Sequence, residues 1–383
     1  MKPTHEIYTS EVTVQRLVYR EMLLLPIMAI IGLSGAAWAA HAGSWPHSTC
    51  GLSLSAFLAA YIIHETWRHQ HLNRAAKHTA LYPTLGWANL ITAGRGLLLA
   101  LLAGFLCSGT LPSSLRWIPG ILFTLNILAD FVDGLIARVT RRPSLLGAHL
   151  DMHLDSLGVL IAAFLVVRFG QMPWWYALVG LARYIFLAGE TLLRALGHPT
   201  QPMPPSPTRR ALAGIQMTFL AITLYPFFHP PATKIIGTFL FLPFILGFVR
   251  DFLAIAGWAW PVESTWFRLA YWRQHALPFI RWVTGGLLLW YTWAAYPALR
   301  AYLPFQTIFL QTLIAFLLLS GIISRLHAAL LLILVALHIT LLPERPLHLA
   351  LIAGGTIILL WGGGRYSLWA PDETLFLKRL GAP

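Results

Sequence analysis

Of the six aspartates in the chain, four, Asp130, Asp133, Asp151 and Asp155, fall within 26 residues. Asp130, Asp133, Gly134, Ala137 and Arg138 stand at i, i+3, i+4, i+7 and i+8, which on a helix is one face. Ser144, Gly147, Asp151 and Asp155 form a second single-face stripe after a short turn. Packed antiparallel, two such helices bring four carboxylates together. Four negative charges that close cannot all ionise without cations, and one arginine does not suffice. Oxygen-only ligands suit hard divalent ions, Mg²⁺ first and Mn²⁺ next. Two metal ions bridged by carboxylates stabilise both the entering and the leaving oxygen of a displacement at phosphorus. Gly134, Ala137 and Gly147 remove bulk beside the acids, so a flat or phosphorylated ligand can approach the backbone.

The elements that must position these residues are membrane helices. The 383 residues are 57% hydrophobic and only 11% charged, with a mean hydropathy of +0.67. A soluble protein carries about 25% charge, so a water-soluble globule and a disordered chain are both excluded. Apolar runs of about 18–24 residues match the ~20 a helix needs to span a bilayer. Twelve spans are predicted, near 22–40, 50–67, 86–108, 117–139, 149–169, 173–196, 211–229, 232–256, 277–297, 304–324, 326–342 and 346–363. Ala40-His41-Ala42 mimics a signal-peptide cleavage site. The first run is long for a signal peptide and follows twenty mixed-charge residues, so a retained helix is expected.

Lys and Arg set the orientation. With both termini inside, the inner loops hold Arg68, Arg74, Lys77, Arg141, Arg142, Arg209, Arg210 and Arg250 among others. The outer loops hold Arg116, Lys234, Arg300 and Arg345, with Arg168 at a span end. The four acids then lie toward the cytoplasmic side, where a carboxylate within a membrane helix marks function by default. The net charge of +13 follows from these loops, and no nucleic-acid partner is expected.

The string Asp130-x2-Asp133-Gly134-x2-Ala137-Arg138-x8-Gly147-x3-Asp151-x3-Asp155 resembles, at every fixed position and spacer, the signature of the CDP-alcohol phosphatidyltransferases. Upstream, Asn89-Leu90-Ile91-Thr92-Ala93-Gly94-Arg95 resembles that family's Asn-x-x-Thr-x-x-Arg, although a helix cap followed by a snorkelling arginine reads the same way. The resemblance covers roughly residues 83–256. It implies a six-helix core with a cytosol-facing polar cavity, usually in a homodimer. It also implies transfer of a substituted phosphoryl group from a CDP-linked donor to an alcohol, with release of CMP. Asp130, Asp133 and Asp151 would ligate Mg²⁺ or Mn²⁺, as two ions. Asp155 would ligate metal and act as general base. Gly134, Ala137, Arg138, Gly147, Asn89 and Thr92 would hold the CDP part.

The acceptor is less defined. Ser144 occupies a position where some relatives bind a phosphorylated polyol. Arg183 and Glu190 share a helix face, with Arg194 at i+4 from Glu190, which reads equally as a substrate contact or an internal pair. Arg209 and Arg210 could grip a phosphate, but an anchor at the helix end is favoured. Arg183-Tyr184, Pro204-Pro205-Ser206, Arg209-Arg210, Gln216 and Leu150-Asp151-Met152-His153-Leu154-Asp155-Ser156 resemble a subgroup of unassigned acceptor. They depart from the Asp-Pro-x-Ala-Asp-Lys form of phosphatidylglycerophosphate synthases, which speaks against glycerol 3-phosphate.

Other features read more plainly. His64-Glu65 with His69 and His71 lacks the second histidine of HExxH, since residue 68 is arginine, and is read as a membrane-end cluster. His153 points away from the acid stripe and is read as helix packing. Cys50 and Cys107 form no CxxC pair and indicate neither a disulfide framework nor a zinc site. Segment 68–85 is either a basic stretch on the anionic inner leaflet or a solvated loop. Gly362-Gly363-Gly364-Arg365-Tyr366-Ser367 resembles the end of DoxX-type four-helix membrane proteins.

The expected protein is an all-α polytopic membrane protein. Residues 1–82 would hold two helices and a basic segment, and 83–256 the phosphotransferase core. A cytoplasmic linker follows at 257–276, a four-helix module at 277–369 and a tail at 370–383. The donor would be a CDP-linked lipid such as CDP-diacylglycerol, the acceptor a polar alcohol, and the location a bacterial cytoplasmic membrane. Within the class, a CDP-choline or CDP-ethanolamine donor with diacylglycerol as acceptor is the alternative. Outside it, a twelve-span transporter would pair acids in two related halves, whereas here all four lie in one third of the chain.

Overall fold

The computed structural model describes residues 18, 20–42, 48–108, 111–113, 115–203, 207–258, 262–299, 304–342 and 346–371. Among them are twelve α-helices: α1 Leu24–Ala42, α2 Ser48–Arg68, α3 Gly86–Gly104, α4 Ile118–Val139, α5 Leu145–Arg168, α6 Ala177–Ala195, α7 Pro207–Thr223, α8 Ala232–Ile255, α9 Val262–Leu299, α10 Phe305–Ser320, α11 Ser324–Leu341 and α12 Pro346–Trp361. The chain is an all-α membrane protein. Seven helices are long and apolar enough to cross a bilayer, those at Arg20–Trp38, Gly86–Cys107, Ile118–Val139, Leu145–Arg168, Trp174–Ala195, Ala232–Ile255 and Ser324–Leu341. α10 and α12 are apolar but shorter. The predicted span 211–229 corresponds to α7, which begins earlier and ends at Thr223. Residues 262–276, read as linker, are helical and continuous with the following span. They make α9 a 38-residue helix, about 57 Å long at 1.5 Å per residue.

The chain divides into two compact units. The first comprises Met1–Gly170, Trp174–Gly180 and Leu220–Pro226. Its central helix is α3, which packs against α1, α2, α4 and α5. Small residues set the closest of these contacts. A Cβ on Gly51 of α2 would stand 2.7 Å from the carbonyl oxygen of Gly104, at the end of α3. At that end Cys50 and Cys107 are joined in a disulfide, with Cα atoms 5.9 Å apart. This corrects the reading of the two cysteines as unpaired. They are 57 residues apart, and only the antiparallel contact of α2 with α3 brings them together.

The opposite end of α3 is capped from the N-terminal segment. Glu21 Oε2 accepts hydrogen bonds from the backbone N–H groups of Leu85, at 2.6 Å, and Gly86, at 3.4 Å. Val18 and Met22 pack there with Leu85, Leu146 and Leu150. Segment 68–85 is mostly loop, exposed over residues 75–80 and buried at Asn73. Beyond one turn of 3₁₀ helix at Gln70–Leu72, it is pinned to the α4–α5 turn. Tyr82 donates to the carbonyl of Pro143 at 3.1 Å, Leu145 N–H donates to the carbonyl of Arg74 at 2.9 Å, and the Arg142 guanidinium lies over the Tyr82 ring.

The second unit comprises Gln171–Pro173, Leu181–Phe219 and Phe227–Pro383. In it α9 packs against α10 and α12, α11 against α10 and α12, and α8 against α11 and α12. Arg281 of α9 is fully buried and donates to the carbonyls of Gly363 (2.9 Å) and Tyr366 (3.0 Å) and to Ser367 Oγ (2.6 Å). The glycine-rich stretch after α12 is thus folded around one cation. His348 is 2.8 Å from the Tyr291 hydroxyl, and Gln311 is 2.7 Å from His338, all four buried.

Candidate active site

The first unit gathers the acids by three helices. α4 carries Asp130 and Asp133, and α5 carries Asp151 and Asp155. These two helices touch each other little and are joined through α3. The group that joins them is Arg95. Its side chain is completely buried and meets all four carboxylates. One terminal nitrogen pairs with Asp130 and lies 3.9 Å from Asp133. The other is 3.0 Å from Asp151 and 2.9 Å from Asp155. Sequence reasoning placed this residue in the Asn89–Arg95 motif, with a snorkelling side chain as the alternative, and gave it no role at the acids. An arginine two turns inside an apolar helix cannot reach the headgroups when four acids surround it. The i, i+3, i+6 spacing of Asn89, Thr92 and Arg95 was the available signal.

Exposure divides the acids. The Asp130, Asp151 and Asp155 side chains are 42, 47 and 42% exposed, whereas Asp133 is 9% exposed. Oxygens of Asp130, Asp151 and Asp155 lie within 4.8 Å of one another. Asp133 stands beside this trio, with the Thr92 hydroxyl 2.7 Å from its Oδ2. The donor set fits a hard divalent cation. It consists of oxygen alone, it opens to one side, and four carboxylates face one guanidinium, so negative charge is left over.

At the rim, Asn89 is nearly buried. Its amide nitrogen donates to Asn73 Oδ1 (3.0 Å) and to the carbonyl of Leu85 (2.8 Å), and its Oδ1 accepts from Ser144 Oγ (2.7 Å). Ser144 is also the N-cap of α5, accepting from Gly147 N–H at 2.9 Å. A Cβ on Gly147 would meet Asn89 Oδ1 at 2.7 Å, so this glycine is required by the asparagine itself. Gly134 leaves room over which the exposed Arg138 guanidinium folds back, 3.4 Å from a built Cβ. Ala137 is half-buried on the same face.

The proposed acceptor residues Arg183, Arg209 and Arg210 lie in the second unit. Arg209 pairs with Asp251 at 3.2 Å, and Asp251 also receives Arg250 at 2.6 Å. Glu190 pairs with Arg194 at 2.5 Å on the exposed surface.

Sequence reasoning also missed a second cluster. His153, read as helix packing, lies with Glu65 and His149 in another group whose potential ligand atoms are within 4.8 Å of one another.

Comparison with known proteins centres on the same region. A family model described as CDP-alcohol phosphatidyltransferase matches residues 85–256. Proteins named "Putative cardiolipin synthase" from Mycobacterium bovis and from two strains of Mycobacterium tuberculosis are 39% identical over 62 residues. That stretch is 16% of this chain and 30% of theirs, so the chain spans about a third of the length of these curated relatives. No solved structure matches. The stretch matched by the model runs from the start of α3 to the end of α8 and contains Arg95 and all four aspartates, so residues 85–256 are similar to the CDP-alcohol phosphatidyltransferase family.

Proposed function

We propose that the protein transfers a phosphatidyl-type group from a CDP-linked lipid, CDP-diacylglycerol, to the hydroxyl of a small polar alcohol, in phospholipid biosynthesis. The observation that carries this reading is the convergence of Asp130, Asp151 and Asp155 from two helices around Arg95. The relatives' name, cardiolipin synthase, agrees with a phospholipid product.

In this reading Asp130, Asp133, Asp151 and Asp155 hold Mg²⁺ or Mn²⁺, two ions in all. When bound, the metal neutralises the pyrophosphate and the charge that develops at phosphorus. Asp155 accepts the proton of the acceptor hydroxyl as its oxygen bonds to the lipid-bearing phosphorus, and CMP departs with the electrons of the broken P–O bond. Arg95 fixes the rotamers of Asp130, Asp151 and Asp155, and Thr92 fixes Asp133. Arg138 supplies a cation beside the backbone opening at Gly134 and Ala137, suited to a nucleotide phosphate. Asn89 and Gly147 shape the rim for the CDP part. Ser144 is assigned to the acceptor.

The domain works as a homodimer with its site toward the cytoplasm of a bacterial membrane. The disulfide supports that orientation. Disulfides persist on the oxidising side of a membrane, and Cys50–Cys107 closes the end of α2 and α3 opposite the acids.

The test is CMP release by purified protein given CDP-diacylglycerol, Mg²⁺ or Mn²⁺, and a panel of polyols, polyol phosphates and amino alcohols. A CDP-amino-alcohol donor with diacylglycerol forms a second arm. Acceptor-dependent release that vanishes in Asp155→Asn supports the reading. Failure to bind CDP at all sinks it.

A further inference from the structure

Helix α5 carries a second i, i+4 pair, His149 and His153, out of phase with Asp151 and Asp155. Two residues along a helix turn the side chain by about 200°, so the histidines face away from the acids and toward the last turn of α2. There Glu65 is waiting, its side chain only 13% exposed. Its Oε1 is 3.2 Å from His149 Nε2 and 3.1 Å from His69 Nδ1. The His69 and His149 rings lie 4.1 Å apart and the His149 and His153 rings 4.5 Å apart. Three imidazoles are therefore gathered, in tilted contact, beside one carboxylate. A simple ion pair needs one partner, and the neighbouring sequence offers Arg68 and Arg74 for that purpose. Neither of them pairs with Glu65 in the ion pairs found here.

The donor atoms have the character of a borderline cation site. Two imidazole nitrogens from an i, i+4 pair plus one carboxylate from another helix form a common three-ligand set for zinc, which leaves one position for water. One ligand atom each from Glu65, His149 and His153 already lies within 4.8 Å of the other two, and rotation of the exposed His153 closes that spread. His69 is placed to orient the carboxylate, since its Nδ1 also contacts the Glu65 carbonyl at 3.0 Å.

We propose that Glu65, His149 and His153 form a site for one transition-metal ion of the zinc class, separate from the oxygen-only acid cluster and clamping α2 to α5. The proposal does not depend on the transferase reading.

The experiment uses the full-length protein purified without a histidine tag, stripped of metal and held in excess Mg²⁺. It is titrated with Co²⁺ and then with Zn²⁺. One equivalent of Co²⁺ with the intense visible absorption of four-coordinate cobalt, displaced by Zn²⁺, is expected. Glu65→Gln and His153→Ala should each abolish the band and weaken Zn²⁺ binding by roughly 100-fold or more, beyond the 10–100-fold typical of losing a mere orienting partner. His71→Ala and Asp151→Asn should keep it. His153 is exposed, so its variant tests the site even if Glu65→Gln fails to fold. A band that survives His153→Ala, a band lost in Asp151→Asn, or no stoichiometric Co²⁺ uptake would each overturn the proposal.

Discussion

Helix α5 offers two ligand pairs at the same i, i+4 spacing, and they differ in every other respect. Asp151 and Asp155 face inward, meet a buried guanidinium and join oxygens from α4. His149 and His153 face α2 and meet a glutamate. The first set is hard, over-charged and held from behind by Arg95. The second is nitrogen-rich and nearly charge-balanced. One rigid helix can thus present two cation preferences, because ligand type rather than spacing decides which ion is taken.

The sharpest break of this comparison is metal exchange. Chelation should abolish CMP release, and Mg²⁺ or Mn²⁺ should restore it while Zn²⁺ does not. Restoration by Zn²⁺ alone would mean that the oxygen face is not the reactive one. Next, Asp155→Asn should lower CMP release by about 10³-fold, within the range for loss of a general base, and leave the folded state intact by thermal melt. Activity within tenfold of wild type would remove Asp155 from the reaction. Arg95→Gln should cost about 2–3 kcal/mol of stability in chelator, less than the 3–5 of a fully buried pair, because three of its four partners are half-exposed. Added Mn²⁺ should recover more of this loss than it adds to wild type, and a melt unmoved by metal would contradict Arg95 as the standing counter-charge. Smallest, Gly147→Ala pushes a methyl against Asn89 Oδ1 and should raise the KM for the CDP donor by roughly tenfold, of the order expected for overpacking. An unchanged KM would separate the rim from nucleotide binding.

What could be read in advance follows the range of the interactions. The helices were legible because hydropathy is a local property, and all twelve predicted spans correspond to helices. The acid stripes were legible because 26 contiguous residues hold them at helical period. Arg95 was only half-legible: its place on the helix was known, but its rotation toward Asp130 and Asp155 is set by how α3 packs. The Cys50–Cys107 bond and the Glu65–His149 contact join residues 57 and 84 apart, and no pattern along one segment announces such neighbours. The contacts of segment 68–85 were illegible for the same reason, since its partners Pro143 and Leu145 belong to a later turn.

Glu21 deserves a last consequence. Its carboxylate closes the first turn of α3 from a helix that lies outside residues 85–256, while Val18 and Met22 cover Leu146 and Leu150. Trimming the protein to the matched stretch would bare the N–H groups just ahead of Asn89 and strip apolar cover from the start of α5. The matched stretch and the structure that completes it therefore have different edges here: the match begins at residue 85, while the cap of α3 and the apolar cover of α5 come from residues 18–22.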